Sequence, residues 1–459
     1  MLSWMPQIEN ANGPKYLAIA EALRADVRAG RLKPGHRLPP QRLLAEALGI
    51  DLTTVTRAFN EARRMGLIDA RAGRGSFVRP QGRDGLARAE SPMIDLSMNM
   101  PPQPPEAKLR ERIQDGIARV LASPHGMMHL SYQESAGARP DRAAAAHWLE
   151  ARLGPVPVDR VVVTGGAQTA LYAIVRVVAG PGDAICVPTL TYPGLRAIAE
   201  QLKVRLIPAA MDQEGFDPES LEETCARERP RAIYCVPTIH NPTTATMSPR
   251  RRQAVAEVAR RHGIPIIEDD AYGVLPRQAP KPIAALAPEI TWHIATLSKC
   301  VTPALRTAYV VTPVLADTLR LTAEIRAMAL MMPPLMAALA SAWILDGTLD
   351  AITEAIRQES AARQAIARRV LQGIPFQAHP EGPHLWLTLP DRWRQADLTI
   401  HARQSGLALV PSEAFAVGIA PDAIRVSLGA ARDRPELEHG LSLLASVLSS
   451  GPGALSSIV

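Results

Sequence analysis

Lysine is scarce in this chain: six occur among 459 residues, and only Lys108, Lys203, Lys281 and Lys299 lie beyond the first 80. Charge balance there falls to arginine. Cysteine is scarce as well. Cys186, Cys225, Cys235 and Cys300 show no metal-ligand spacing, and isolated thiols suit a reducing compartment better than a disulfide framework. His125 and His129 have no third ligand in a recognisable pattern, so no metal is expected. Residues 1–13 lack a basic start followed by an apolar core, which argues against a secretory signal and for the cytoplasm. The one run of membrane length, 327–345, is broken by Pro333 and Pro334. Its second half is read as a buried helix opened by Pro334, with no membrane partner. At 47% apolar and 21% charged residues, the composition excludes extended disorder and fits a soluble globular chain of two or three domains.

The net charge of +6 is unevenly placed. Residues 14–80 hold 13 Lys/Arg against 6 Asp/Glu, so the remainder is close to neutral. A basic segment on a neutral body points to a polyanion partner for the N-terminus alone. Apolar residues at Leu17, Ala20, Leu23 and Val27 give a first helix over 15–29, stopped by Gly30. A second follows Pro39-Pro40 and ends at Gly49. Asp51 caps a third, which begins near Leu52 with Val55, Ala58, Phe59, Ala62 and Met65 turned inward. Its outer face gathers Thr53, Thr56, Arg57, Asn60 and Arg64, side chains able to bond base edges or phosphates in a major groove. Gly66 to Val78 then reads as two short strands around a glycine turn, a wing carrying Arg71 and Arg74.

This segment resembles the GntR family of winged helix-turn-helix regulators through Gly30-Arg31-Leu32-Lys33-Pro34-Gly35, Arg37-Leu38-Pro39-Pro40-Gln41-Arg42-Leu43-Leu44-Ala45, Arg57-Ala58-Phe59 and Gly73-Arg74-Gly75-Ser76-Phe77-Val78. The resemblance implies an α+β DNA-binding domain over 14–79, with Arg42 and Arg57 on double-stranded operator DNA beside Thr53, Thr56, Asn60 and Arg74. Asp51-Leu52 stands where the family often has Ser-Arg.

Residues 80–92 have no periodicity and read as a tether. From Asp95 onward strand and helix patterns alternate: strands near 160–163, 184–187 and 231–236, helices near 168–179 and 195–202. That order predicts an α/β body over 93–459, with a largely parallel sheet. A long helix over 348–371 leads to a smaller α+β lobe at about 373–448.

Lys299 ends the apolar stretch 293–298, at the carboxyl end of a strand, where open α/β sheets bind ligands. An amine there can lose its proton and form a Schiff base. Asn241 follows the strand 232–236, Asp269 follows 264–267, and Arg306 comes seven residues after Lys299. Three strand ends thus deliver an amide, a carboxylate and an amine.

The pattern resembles the fold-type I aminotransferases, and the fusion resembles the MocR-type subgroup of GntR regulators. The resemblance implies pyridoxal 5'-phosphate on Lys299, with Asp269 at the pyridine nitrogen and Asn241 and Tyr272 at the phenolic oxygen. It implies a phosphate site made by Arg306, Thr296 and the amides of Ala167 and Gln168. Tyr192 would stack on the ring, Arg425 would grip an effector carboxylate, and Tyr132 would reach the cofactor of the other subunit in a homodimer. The leading reading is a regulator whose aminotransferase-like domain senses an amine, an amino acid or the cofactor itself. An active aminotransferase with an attached DNA-binding module uses the same residues, as does a store or sensor of the vitamin-derived cofactor.

Overall fold

The structure, a computed structural model, describes residues 4–6, 15–28, 31–33, 35–64, 67–71, 75–78, 93–124 and 126–450. The predicted tether 80–92, Arg74 and Met65 lie outside the described residues. The chain divides into two compact units, 1–91 and 92–459.

In the first unit, helices α1 (Lys15–Arg28), α2 (Gln41–Leu48) and α3 (Leu52–Arg64) precede the antiparallel strands β1 (Ile68–Arg71) and β2 (Gly75–Val78). Gly49 ends α2 at φ 64°, its N–H returning to the carbonyls of Ala45 and Glu46. That left-handed stop suits a residue without a Cβ. Two residues later Asp51 Oδ1 accepts the Thr53 N–H at 2.7 Å and so starts α3. The α3 stripe of Val55, Ala58, Phe59 and Ala62 is buried against Ile19, Leu23 and Leu44. A further rung, not anticipated from the sequence, pairs Arg37 with Phe77. It is fixed by Leu38 N–H to Ser76 O and Val78 N–H to His36 O, each 2.9 Å.

The second unit is built on a seven-stranded sheet. From edge to edge its strands are Val161–Thr164, Ala308–Val311, Thr291–Thr296, Ile266–Asp269, Ala232–Cys235, Ala184–Pro188 and Arg205–Ala209. Only Ala308–Val311 runs antiparallel to its neighbours. Val161, Val162 and Val163 are all buried, as expected for strands covered by helices on both faces. The apolar helix Pro334–Leu345 packs Leu339, Ala340 and Trp343 into this core, which accounts for its lack of a polar face. No single described helix is long and apolar enough to cross a membrane.

Helix Thr348–Val370 leads to the small lobe, whose four-stranded sheet runs Phe376–Ala378, His384–Thr388, Ala423–Ser427, Val410–Pro411. The first described residues of the body join this lobe. Ile94–Asp95 pairs in parallel with Leu407–Ala408, and Ile94 and Leu96 enter the small-lobe core. The chain then continues as Ser97-Met98-Asn99 toward the large sheet. A Cβ on Gly429 would stand 1.8 Å from the Met100 carbonyl oxygen and 3.1 Å from Pro102 N, so this crossing depends on close backbone packing. Gly429→Ala therefore costs about 1–3 kcal/mol or more. The expected outcome is a lower melting temperature of the full chain by differential scanning calorimetry, with weaker uptake of pyridoxal phosphate because the displaced segment borders Lys299.

Candidate functional site

The carboxyl ends of three adjacent strands define the site. Asp269 is the last residue of Ile266–Asp269 rather than the residue just beyond a strand ending at 267. Lys299 lies in the turn three residues after Thr291–Thr296, and Asn241 lies in the loop after Ala232–Cys235. Arg306 precedes the antiparallel strand Ala308–Val311, and Ala167 opens the helix Ala167–Val178. Together they line a cavity of about 360 Å³ that also takes in Gln168, Tyr192, Tyr272, Thr296 and Arg425. Tyr132 is not among them. Its side chain is 84% exposed beside a separate concavity bordered by Leu319 and Arg326.

Lys299 Nζ donates to the Asn99 carbonyl at 2.5 Å. Burial, with a smaller push from Arg425, brings this amine down to about 8, against the opposing pull of Asp269. Burial raises the Asp269 carboxyl to about 6, against the hydrogen bond from Tyr234. Tyr234 Oη donates to Asp269 Oδ2 at 3.0 Å, while Oδ1 is buried with no partner among the described residues. A buried carboxylate oxygen left open beside a lysine suits a group that brings its own N–H, as a protonated pyridine does.

The anion end of the cavity is equally specific. Gly166, at φ 103°, caps the helix Ala167–Val178, and a Cβ there would meet the Arg306 guanidinium at 2.8 Å. Glycine thus lets a bidentate cation approach the free amides of a helix start, a cradle for a phosphate dianion. The Thr296 hydroxyl is within 3.1 Å of the Thr307 carbonyl and 3.0 Å of Ser298 Oγ. Ser298 also lines the cavity. Tyr192 Oη donates to Gln168 Oε1 at 3.1 Å, and Gln168 Nε2 donates to the Gly194 carbonyl at 3.2 Å.

Arg425 is buried, 4.9 Å above the Phe415 ring. Its Nη1 donates to Asn241 Oδ1 at 2.8 Å and its Nη2 to the Ser97 carbonyl at 2.5 Å, while Nε has no partner among the described residues. Asn99 Nδ2 donates to Tyr272 Oη at 2.9 Å and lies 3.3 Å from His384 Nδ1. Asn99, Tyr234 and Ser298 were not singled out from the sequence. Ser298 had a usable signal, a hydroxyl beside the lysine. Tyr234 reads as one more apolar strand residue, and Asn99 lies 200 residues from Lys299.

On the N-terminal unit, Arg42, Thr53, Arg57 and Asn60 are exposed and Thr56 is half-buried. The Thr53 hydroxyl donates to Asp51 at 2.5 Å, and the Thr56 hydroxyl donates to Gln41 Oε1 at 2.9 Å, tying α3 to α2. Arg63 Nη1 donates to Asn60 Oδ1 at 3.2 Å.

These two constellations define a class of protein in which a winged helix-turn-helix and an aminotransferase-type body share one chain. The chain belongs to the GntR-type regulators with such a body, the MocR-type arrangement: residues 15–78 match the bacterial regulatory proteins of the gntR family, and residues 91–444 match aminotransferase class I and II. The HTH-type transcriptional regulator YdeF of Bacillus subtilis is 30% identical over 449 residues, 97% of each chain. The probable rhizopine catabolism regulatory protein MocR of Rhizobium meliloti is 27% identical over 332 residues, 66% of each. Among solved structures, the kynurenine aminotransferase of Pyrococcus horikoshii is 26% identical with a TM-score of 0.72, covering 78% of this chain and 91% of that one. Pyridoxal phosphate is the cofactor of this type of body, and the open Asp269 oxygen and the Arg306 cradle fit it.

Because the neutral amine is the form that attacks an aldehyde, uptake of pyridoxal phosphate by cofactor-free protein is expected to accelerate as pH rises through about 8. Stopped-flow absorbance from about pH 6.5 to about pH 9.5, roughly a unit and a half either side, checks this. A rate flat across that range would contradict the assigned environment of Lys299.

Proposed function

We propose that the chain is a pyridoxal phosphate-dependent transcriptional regulator that reads duplex DNA with α3 and senses an amine, an amino acid or the cofactor itself in the Lys299 cavity. The observation that carries this reading is the joint presence of a buried lysine, an open buried carboxylate oxygen and an arginine-backed helix start in one cavity.

Lys299 would hold the cofactor aldehyde, Asp269 would keep the pyridine nitrogen protonated, and Asn241 and Tyr272 would bond the phenolic oxygen. Arg306, Thr296, Ser298 and the amides of Ala167 and Gln168 would hold the phosphate, and Tyr192 would stack on the ring. When bound, the cofactor supplies an electrophilic carbon for an incoming amine and a ring that withdraws electrons. Arg425 takes the carboxylate of an amino-acid effector. A relative named as a catabolism regulatory protein supports a metabolite-responsive role. On the N-terminal unit, Arg42, Arg57 and Asn60 contact the operator, with Thr53, Thr56 and Arg74 beside them. The protein works in the cytoplasm.

The test is a fluorescence-anisotropy titration of operator DNA with and without pyridoxal phosphate. Cofactor is expected to shift the affinity of the native chain and to leave Lys299→Ala unchanged, while Arg57→Ala weakens binding in both states and lowers the salt slope by about 1. Superimposable native curves, with and without cofactor and amino acids, would remove the sensing role.

The body also exposes Met127, Met128, Leu130 and Tyr132 at 60–84% of their surface, an apolar face of the kind that marks association. We assign it to a homodimer contact that brings Tyr132 toward the second subunit's cavity. Met127→Asp combined with Met128→Asp is expected to sediment as a monomer in analytical ultracentrifugation, where the native chain sediments as a dimer.

A further inference from the structure

The groups that should greet a ligand are already engaged, and by one short segment. Lys299 donates to the Asn99 carbonyl, Asn99 Nδ2 donates to Tyr272 Oη, and Arg425 Nη2 donates to the Ser97 carbonyl. Lys299 and Tyr272 belong to the large-sheet side of the body, whereas Arg425 belongs to the small-lobe sheet. Ser97-Met98-Asn99 is therefore a strap bonded to both lobes across the mouth between them. Its own start is anchored in the small lobe by Leu96 N–H to the Ala408 carbonyl at 3.0 Å and by Ser427 N–H to the Leu96 carbonyl at 2.8 Å. In sequence the strap follows Val78, the last residue of the wing, by fewer than twenty residues.

Arg425 has one edge of its fork half-used: Nε has no partner among the described residues, and Nη2 is held by a neutral carbonyl. A carboxylate binds a guanidinium edge through two parallel bonds, and charge-assisted bonds are roughly twice as strong as those to a neutral acceptor. A carboxylate seated on Nε and Nη2 competes with the neutral Ser97 carbonyl for Nη2. The Nη1 bond to Asn241 can remain, since it uses the other end of the fork.

We propose that Ser97-Met98-Asn99 is an intramolecular occupant of the effector site, and that an α-carboxylate at Arg425 evicts it and frees the segment that leads back to the DNA-binding domain. This rests on the cofactor-site reading above and adds the device by which occupancy is felt at the N-terminal end of the body. A ligand with the phosphate and ring but no carboxylate leaves the Ser97 bond in place. The strap therefore distinguishes an amino-acid effector from the cofactor alone.

The experiment is hydrogen–deuterium exchange on the full chain in three states: ligand-free, with pyridoxamine 5'-phosphate, and with N-(5'-phosphopyridoxyl)-L-leucine, which adds a carboxylate to the same ring. Binding of both compounds is measured separately by calorimetry. The expected result is that exchange over 96–100 and at Ser427 quickens at least about fivefold with the leucine adduct relative to pyridoxamine phosphate, the low end of ordinary coupling. Arg425→Leu, which deletes the donor to Ser97, should show the fast pattern with no ligand. Unchanged or slower exchange with the adduct bound overturns the proposal, as does a slow strap in Arg425→Leu. Should neither compound bind, the cofactor-site reading itself fails and the strap's proposed role falls with it.

Discussion

Three charges held away from water govern the body of this protein. Lys299, Asp269 and Arg425 are each desolvated, and burial pushes every one of them toward its neutral form. Taking an ion out of water is costly unless partners replace the lost solvation. Here the replacement is incomplete: one Asp269 oxygen and the Arg425 Nε stand without partners among the described residues, and the Lys299 amine depends on a backbone carbonyl. Such a cavity is finished by a ligand that brings an N–H, an aldehyde and anionic groups.

The same constraint links the two lobes of the body. Arg425 lies on the small-lobe strand Ala423–Ser427, while Asn241, which accepts from it, comes from the loop after the large-sheet strand Ala232–Cys235. The segment 97–99 adds bonds to both sides. Any group that competes for Arg425 thus acts on contacts between lobes, and interfaces of this kind move between discrete arrangements rather than deforming smoothly. The chain segment most exposed to that competition is also the one that follows the wing in sequence by fewer than twenty residues.

Much of this was legible in the residues. Gly49, Asp51 and the stripe of Val55, Ala58, Phe59 and Ala62 set α2 and α3 within a residue of their expected bounds, because capping and helical periodicity are local signals. Pro334 and the almost wholly apolar run after it, broken only by Ser341, gave the buried helix. The strand ends carrying Asn241, Asp269 and Lys299 were readable since each closes a short apolar run. Less legible were contacts made by backbone atoms or across long sequence separations. The Arg37–Phe77 rung depends on pairing after the wing has folded. Tyr234 is polar only at its tip, so within a buried strand it looks like any core aromatic. Thr53 and Thr56 read as DNA-facing hydroxyls, and only the fold shows that both also have partners within the domain.

By itself the sequence determined the order of the modules and the helices of the DNA-binding domain, since capping and helical periodicity are local signals, and through the family resemblance it pointed to the lysine, carboxylate and arginines that line one cavity. Only the tertiary structure decided that residues 94–99 belong with the small lobe and cross to Lys299, that Asp269 has one oxygen spent on Tyr234 and one open, and that Tyr132 stands outside its own chain's cavity. Those outcomes follow from which backbone groups find one another after hundreds of residues have packed, and no local pattern of side chains carries that information.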